Sequence, residues 1–238
     1  AGADILDVNV GTPEIDEKAM MLDVLNELQG VVDCPLQIDS SDPAVVESAL
    51  RVYSGVPIVN SVNGEEKSLV SILPLVKKYG ALVVGLTLDE NGIPDTAEGR
   101  FAIAEKIVKR AAEYGIPSNH ILIDCLTLTV SAEPTGAVET LKALKMVKEK
   151  LGVKSVLGVS NISFGLPGRE HINAQFLSLA LAAGLDFPII NPNASAMMDA
   201  VYTHNLLFCQ DPGGERYIAR FAGDIPAAGA PAAAGSLT

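Results

Sequence analysis

The sequence predicts an α/β fold of the TIM type, a (β/α)8 barrel that lacks its first βα unit. Seven short runs rich in Val, Ile and Leu are each followed by a stretch with helical spacing of apolar residues. Strict alternation of this kind demands a mostly parallel sheet covered by helices. No GxGxxG and no P-loop follows the first run, which argues against an open doubly wound sheet. A closed barrel needs one more unit than the chain carries. Ala1-Gly2 reads as the tail of a helix, so the chain reads as cut from something longer.

The first strand is Ala3-Asp4-Ile5-Leu6-Asp7-Val8-Asn9-Val10-Gly11, and a helix follows from Glu14 to about Leu28. Pro35–Asp39 is the second strand. Ser41 or Asp42 can cap the next helix, with Pro43 at its first position, where a missing N–H costs nothing. Val56–Ser61 is an apolar strand ending in Asn60, with a helix from Glu65 to Tyr79 that Gly80 stops. Ala81–Thr87 precedes a helix from Thr96 to Tyr114, whose expected buried face carries Phe101, Ala104, Val108 and Ala111. His120–Asp124 precedes a helix from Pro134 to Leu151. Ser155-Val156-Leu157-Gly158-Val159 is a buried strand that breaks off in Ser160-Asn161, ahead of a helix from Arg169 to Ala183. Phe187–Pro192 and a helix from Ser195 to Phe208 complete the series. Asp211-Pro212-Gly213-Gly214 reads as a turn. The expected division is therefore a barrel domain over 1–210 and a Pro/Gly/Ala-rich linker or tail over 211–238.

At 238 residues and 48% hydrophobic, the chain can bury a full core. Its net charge of −12 argues against nucleic acid, which requires clustered Lys and Arg. No apolar run reaches the ~20 residues of a membrane helix. Cys34, Cys125 and Cys209 form no CxxC pair and read as reduced thiols of a cytoplasmic protein. His120, His171 and His204 make no HxH or HExxH pattern, so no metal site is expected. An acidic divalent site from Asp7, Asp39 and Asp124 is conceivable but nonspecific.

Barrels work at the C-terminal ends of their strands. Reading only those ends gives Asp7 and Asn9, Asp39, Asn60, Asp124, Asn161 and Asn191. Any one of these could be a helix cap or a turn residue. A ring of them is harder to explain that way, because Ser, Thr and Gly serve as caps equally well. Carboxylates and carboxamides together suit a flat heterocycle bearing ring N–H, exocyclic amine and carbonyl groups.

Taken in order, Asp7-Val8-Asn9-Val10-Gly11, Leu36-Gln37-Ile38-Asp39-Ser40, Ile58-Val59-Asn60-Ser61, Ile123-Asp124 and Leu157-Gly158-Val159-Ser160-Asn161-Ile162-Ser163 resemble the motifs of pterin-binding methyltransferase barrels. The chain is similar to the methyltetrahydrofolate-binding module of cobalamin-dependent methionine synthases and to methyltetrahydrofolate:corrinoid methyltransferases, from about Ala1 to Phe208. Arg169-Glu170-His171-Ile172-Asn173 and Ile189-Ile190-Asn191-Pro192 extend the likeness. The resemblance implies a pterin-binding barrel that binds methyltetrahydrofolate. Asp39, Asn60 and Asp124 are then expected to hold the pterin ring, Asn161 to sit at the methyl-bearing nitrogen as the catalytic residue, and Arg169 to shape the site. It implies methyl transfer to the cobalt(I) of a corrinoid (cobalamin) carried on another domain or protein, because no cobalamin-binding motif occurs here. The family's Glu-Arg-Ile-Asn first strand also has no counterpart. Two rival readings are a dihydropteroate synthase-like condensation and a noncatalytic folate-binding module. Against the first, Asn9-Val10-Gly11-Thr12-Pro13 stands where a Gly-Gly-Glu-Ser-Thr-Arg-Pro loop is expected. No membrane or nucleic-acid partner is expected, and a homodimer is left open.

Overall fold

In the computed structural model, which describes residues 2–224, strands and helices alternate as the apolar runs require. The order is β1 (Leu6–Asn9), α1 (Glu17–Gln29), β2 (Leu36–Asp39), α2 (Pro43–Val52), β3 (Ile58–Asn63), α3 (Glu66–Tyr79), β4 (Leu82–Leu86), α4 (Ala97–Glu113) and β5 (Ile121–Asp124). Then come α5 (Gly136–Met146), β6 (Lys154–Gly158), α6 (Arg169–Ala182), β7 (Phe187–Ile189), α7 (Ser195–Leu207) and α8 (Glu215–Phe221). Local chemistry sets the boundaries. Asp16 caps α1 by accepting from Ala19 N at 3.1 Å, which moves its start inward from Glu14. Of the two candidate caps for α2, Asp42 serves, accepting from Ala44 N at 2.8 Å. Gly80, in the left-handed region, ends α3.

All seven strands form one parallel sheet in the order β1 to β7, each paired with its predecessor. Among the described residues β1 and β7 do not pair with each other, and that opening is where an eighth strand closes a full barrel. Alternate residues project to opposite faces, and ladder partners share a face. Val8, Ile38, Val59, Val83, Ile123 and Leu157 face the helices and belong to one continuous core. Burying each such side chain contributes about 1.5–3 kcal/mol. Ile58, Val84, Leu122 and Val156 face the other way and form a separate small cluster, against which Ile5 and Phe187 pack from the two edges. The sheet therefore curls around an interior of its own.

Two expectations need correction. On α4 the buried positions are Ala97, Arg100, Ile103, Ala104, Ile107 and Ala111, so the inner face is rotated away from Phe101 and Val108. The segment after Asp211 is not linker throughout. Asp211 accepts from Arg216 N at 3.2 Å and Tyr217 N at 2.9 Å, capping α8. Arg220 then ties α8 to Asp199 of α7 at 2.9 Å. A seven-residue helix is too short to announce itself by periodicity. The expected Ala/Pro/Gly tail over 225–238 lies outside the described residues. No helix among the described residues is long and apolar enough to cross a membrane.

Helix α4 comes unusually close to β4 at Gly85. A β-carbon there would lie 2.9 Å from Ile107 Cγ2 and 3.1 Å from Ile123 Cδ1. Gly85→Ala is expected to destabilise the fold by about 1–3 kcal/mol through overpacking, read as a lower urea midpoint at unchanged m.

Candidate active site at the strand ends

The parallel register carries the polar strand ends to one place. Asn9, Asp39 and Asn60 are successive ladder partners, and Asn60 in turn partners Val84. Asn63, Leu86, Asp124, Val156 and Phe187 form a second such row. Both rows lie on the face that carries the small inner cluster, so the Asp and Asn side chains project into the mouth of the curled sheet and not toward the helices.

On β1 to β3 these groups cluster, with two hydrogen-bonded pairs joining β1 to β2. Asn9 Nδ2 donates to Asp39 Oδ2 at 2.9 Å, and Gln37 Nε2 donates to Asp7 Oδ1 at 2.6 Å. Crowding by protein atoms raises the Asp7 carboxyl above its ordinary value. The Gln37 amide opposes this, the Asp39 charge adds to it, and Asn60 opposes it weakly. Interleaved amides let two carboxylates share the rim. Asp39 and Asn60 are half-buried, and Asp39 is held by the Asn9 amide.

Asp124 is different. It ends β5, is 9% exposed, and accepts one hydrogen bond, from Leu126 N at 2.7 Å. Burial pushes its carboxyl up to about 7, with the Leu126 N–H pulling the other way. A buried carboxyl with unfilled acceptor capacity is suited to paired N–H donors from a bound ring. The hydroxyls of Thr87 and Thr127 are also buried, with no hydrogen-bond partner in the protein. Thr87 lies beside Asp124, donating its N–H to the Asp124 carbonyl at 3.0 Å.

Asn161 sits just past β6 on a short 3-10 turn over Val159–Ser163 and is exposed. A β-carbon on Gly158 would lie 3.1 Å from Asn161 Nδ2, so the amide folds back over the strand end on the inner face. Arg169, the first residue of α6, braces this turn. Its Nε donates to Ser163 Oγ at 2.9 Å, its Nη2 donates to the Ser160 carbonyl at 3.0 Å, and its guanidinium lies 4.7 Å over the Phe164 ring. The guanidinium is thus occupied with the loop. Asn191, by contrast, accepts from Asn193 N at 3.0 Å and forms an ordinary Asx turn.

The mouth therefore gathers Asp7, Asn9, Asp39, Asn60 and Asp124, with Asn161 at the end of β6 and Arg169 behind it. Among the described residues no group of three His, Cys, Asp or Glu could hold a metal ion, so the conceivable acidic site does not assemble. Gln37 was overlooked, although it stands two residues before Asp39 and so shares its face. Thr87 and Thr127 carried no signal, since Thr is common in turns.

Asp124 predicts a pH effect with a definite sign. Its folded value lies above the ordinary 3.8, so between about pH 4 and 7 the folded state holds more protons than the unfolded chain. Stability must then fall as pH rises through that window. Asp124→Asn removes this contribution, so thermal unfolding is expected to give a Tm difference, variant minus wild type, that grows steadily from pH 4 to pH 8.

The family described as pterin binding enzyme matches residues 1–191. The chain is 31% identical over 227 residues to the methylcorrinoid:tetrahydrofolate methyltransferase of Eubacterium limosum, covering 93% of this chain and 83% of that protein. It is 34% identical over 203 residues to the methionine synthase of Mycobacterium leprae (strain TN), covering 80% of this chain but only 17% of that protein. The chain thus spans less than a fifth of the methionine synthases it matches. Dihydropteroate synthase from Thermus thermophilus superposes with a TM-score of 0.68 at 22% identity, covering 87% of this chain and 84% of that one. The Yersinia pestis enzyme in complex with a pterine-sulfa conjugate gives 0.69 at 15% identity over the same shares, a likeness of fold. The chain belongs to the pterin-binding enzyme family.

Proposed function

We propose that this chain binds methyltetrahydrofolate at the strand ends and transfers its methyl group to the cobalt(I) of a corrinoid carried on another domain or protein. The observation that carries the reading is the inner-face set of Asp39, Asn60 and buried Asp124, combined with Asn161 at the end of β6. The names of the relatives support methyl transfer over pterin condensation, since the synthases share the fold at low identity. The proposed setting is the cytoplasm, consistent with three free cysteines.

A pterin edge offers a ring N–H beside an exocyclic amine, and Asp124 can accept both. Asp39 and Asn60, held by the β1–β3 cluster, cover the remaining donors and acceptors without having to reorganise. Demethylating a tertiary amine is difficult because the amide-like anion left behind is a poor leaving group. Asn161 Nδ2–H eases departure by donating to the ring nitrogen, directly or through one water, as negative charge builds there. It carries no ionisable proton, so solvent delivers the proton along the same path. The corrinoid supplies the nucleophilic metal centre when it docks at the open mouth. By microscopic reversibility the same groups serve the opposite direction, the one named for the Eubacterium limosum relative.

Mixing the protein with methyltetrahydrofolate and a reduced corrinoid, and following the cobalt absorbance, tests the reading. Activity only with a pterin pyrophosphate and an aromatic amine, releasing pyrophosphate, supports the synthase instead, and binding without transfer supports a noncatalytic module. Asn161→Ala is expected to slow transfer about 10²–10³-fold, the usual worth of one preorganised hydrogen-bond donor, while folate affinity stays within a few-fold. Equal loss of both in folded protein makes Asn161 a binding residue only.

A further inference from the structure

The buried arginine of α4 is unexplained by the chemistry above. Arg100 is 0% exposed, yet every hydrogen bond it makes goes to a neutral oxygen. Nε donates to the Pro94 carbonyl at 2.9 Å, in the loop before α4. Nη1 faces the carbonyls of Cys125 and Leu126 at 3.1 and 3.0 Å and the Thr140 hydroxyl of α5 at 2.7 Å. Thr140 Oγ1 in turn lies 2.9 Å from the same Leu126 carbonyl. A buried cation without a carboxylate partner is costly, and burial lowers the Arg100 pKa accordingly. An apolar residue at this stripe position of α4 would fill space without that cost.

What the guanidinium grips is the turn that holds Asp124. The Cys125 and Leu126 carbonyls are drawn toward α4, and Leu126 sits in the left-handed region at φ 60°, rare for a branched side chain. The Leu126 N–H donates back to Asp124 Oδ1, 2.7 Å away, closing an Asx-type turn. Arg100 has no contact with the Asp124 carboxyl itself, so its influence runs through the main chain.

We propose that Arg100 is a positioning residue: with Thr140 it clamps the Cys125–Leu126 turn, which fixes the orientation and hydrogen bonding of the Asp124 carboxyl in the pterin site. The assignment of Asp124 to pterin binding rests on the function proposed above; the coupling of Arg100 to Asp124 does not. The surroundings of Asp124 simplify the test. Its sheet neighbours Leu86 on β4 and Val156 on β6 are uncharged. On its own strand end the Cys125 thiol is pushed upward by burial and stays neutral. From α4 the charged group is Arg100, and from α5 the group at the turn is the uncharged Thr140. The Leu126 N–H favours the carboxylate, so a turn that loses this bond while Asp124 stays buried raises the Asp124 titration.

The experiment compares Arg100→Lys and Thr140→Val with Val76→Ala, a core truncation on α3 chosen to lower Tm to a similar extent. The Asp124 carboxyl is titrated by carbon-13 NMR in ligand-free protein, its signal assigned through Asp124→Asn, and methyltetrahydrofolate affinity is measured from pH 6 to 9. In both clamp variants the titration is expected to move upward. Affinity at pH 7 should weaken about 10-fold, as small displacements in preorganised sites do, and recover toward pH 9. Val76→Ala should change neither. If the titration stays in place in a folded clamp variant, the proposal is overturned and Arg100 only joins α4 to α5. Should Arg100→Lys fail to fold, Thr140→Val decides. A wild-type protein that binds no methyltetrahydrofolate sinks the folate reading, while the ligand-free titration still decides the clamp.

Discussion

Register in the parallel sheet is the constraint on which the rest of this protein depends. In β1 to β6 an apolar residue on the outer face is buried against helices, and that set leaves no freedom for the other. A slip of one residue in β2 would turn Ile38 into the mouth and Asp39 into the helical core. The hydrophobic term on the outer face therefore holds the polar groups on the inner face, although those groups contribute little to stability themselves. The inner face is also uneven. It is polar across β1 to β3 and largely apolar across β4 to β7, where Leu82, Val84, Leu86, Leu122, Val156 and Phe187 gather. A flat, amphipathic ring fits such a surface, with one edge hydrogen-bonded and its face against hydrocarbon.

Electrostatics then divides the acids into two kinds. Asp39 and Asp7 stand on a partly solvated rim where Asn9 and Gln37 supply donors. Asp124 lies inside, with one N–H and no cation on its carboxyl. The first kind is held by amide donors; the second keeps acceptor capacity unfilled. Asn161 adds an uncharged donor on the far side, at the end of β6. The net charge of −12 bears on partners as a total, while the chemistry depends on where the acids are placed.

Beyond the strands, the loops are held by each other. Val130 N donates to the Ile162 carbonyl at 3.0 Å, and Thr129 and Ser131 both donate to the Phe164 carbonyl, at 2.7 and 3.0 Å. The turn carrying Asn161 is in this way laced to the segment that follows Asp124. Arg169 braces that turn from α6, and Arg100 grips the Asp124 turn from α4. Two arginines thus sit behind two candidate site residues, each directing its donors to main-chain carbonyls and one hydroxyl. Such support is what keeps a site built on loops rigid.

The order of strands and helices, the parallel sheet and the polar strand ends were all legible in the chain, because burial writes a period of two into strands and about 3.6 into helices. Asp39, Asn60, Asp124 and Asn161 stood out for the same reason: each interrupts or ends an apolar run. Other features had no such signature. Asn191 looked like its peers, yet its side chain turned back to its own loop, since an Asx turn and a ligand contact need the same residue. Arg100 carries no signal in the sequence, since an arginine within an amphipathic helix is ordinarily exposed. Only the approach of α4 and α5 to the end of β5 revealed carbonyls for it to hold. The sequence by itself determined which residues could share a face, because that follows from local periodicity. Tertiary structure alone decided which of them meet, how deeply Asp124 is buried and what holds it, because those depend on the packing of segments far apart in the chain.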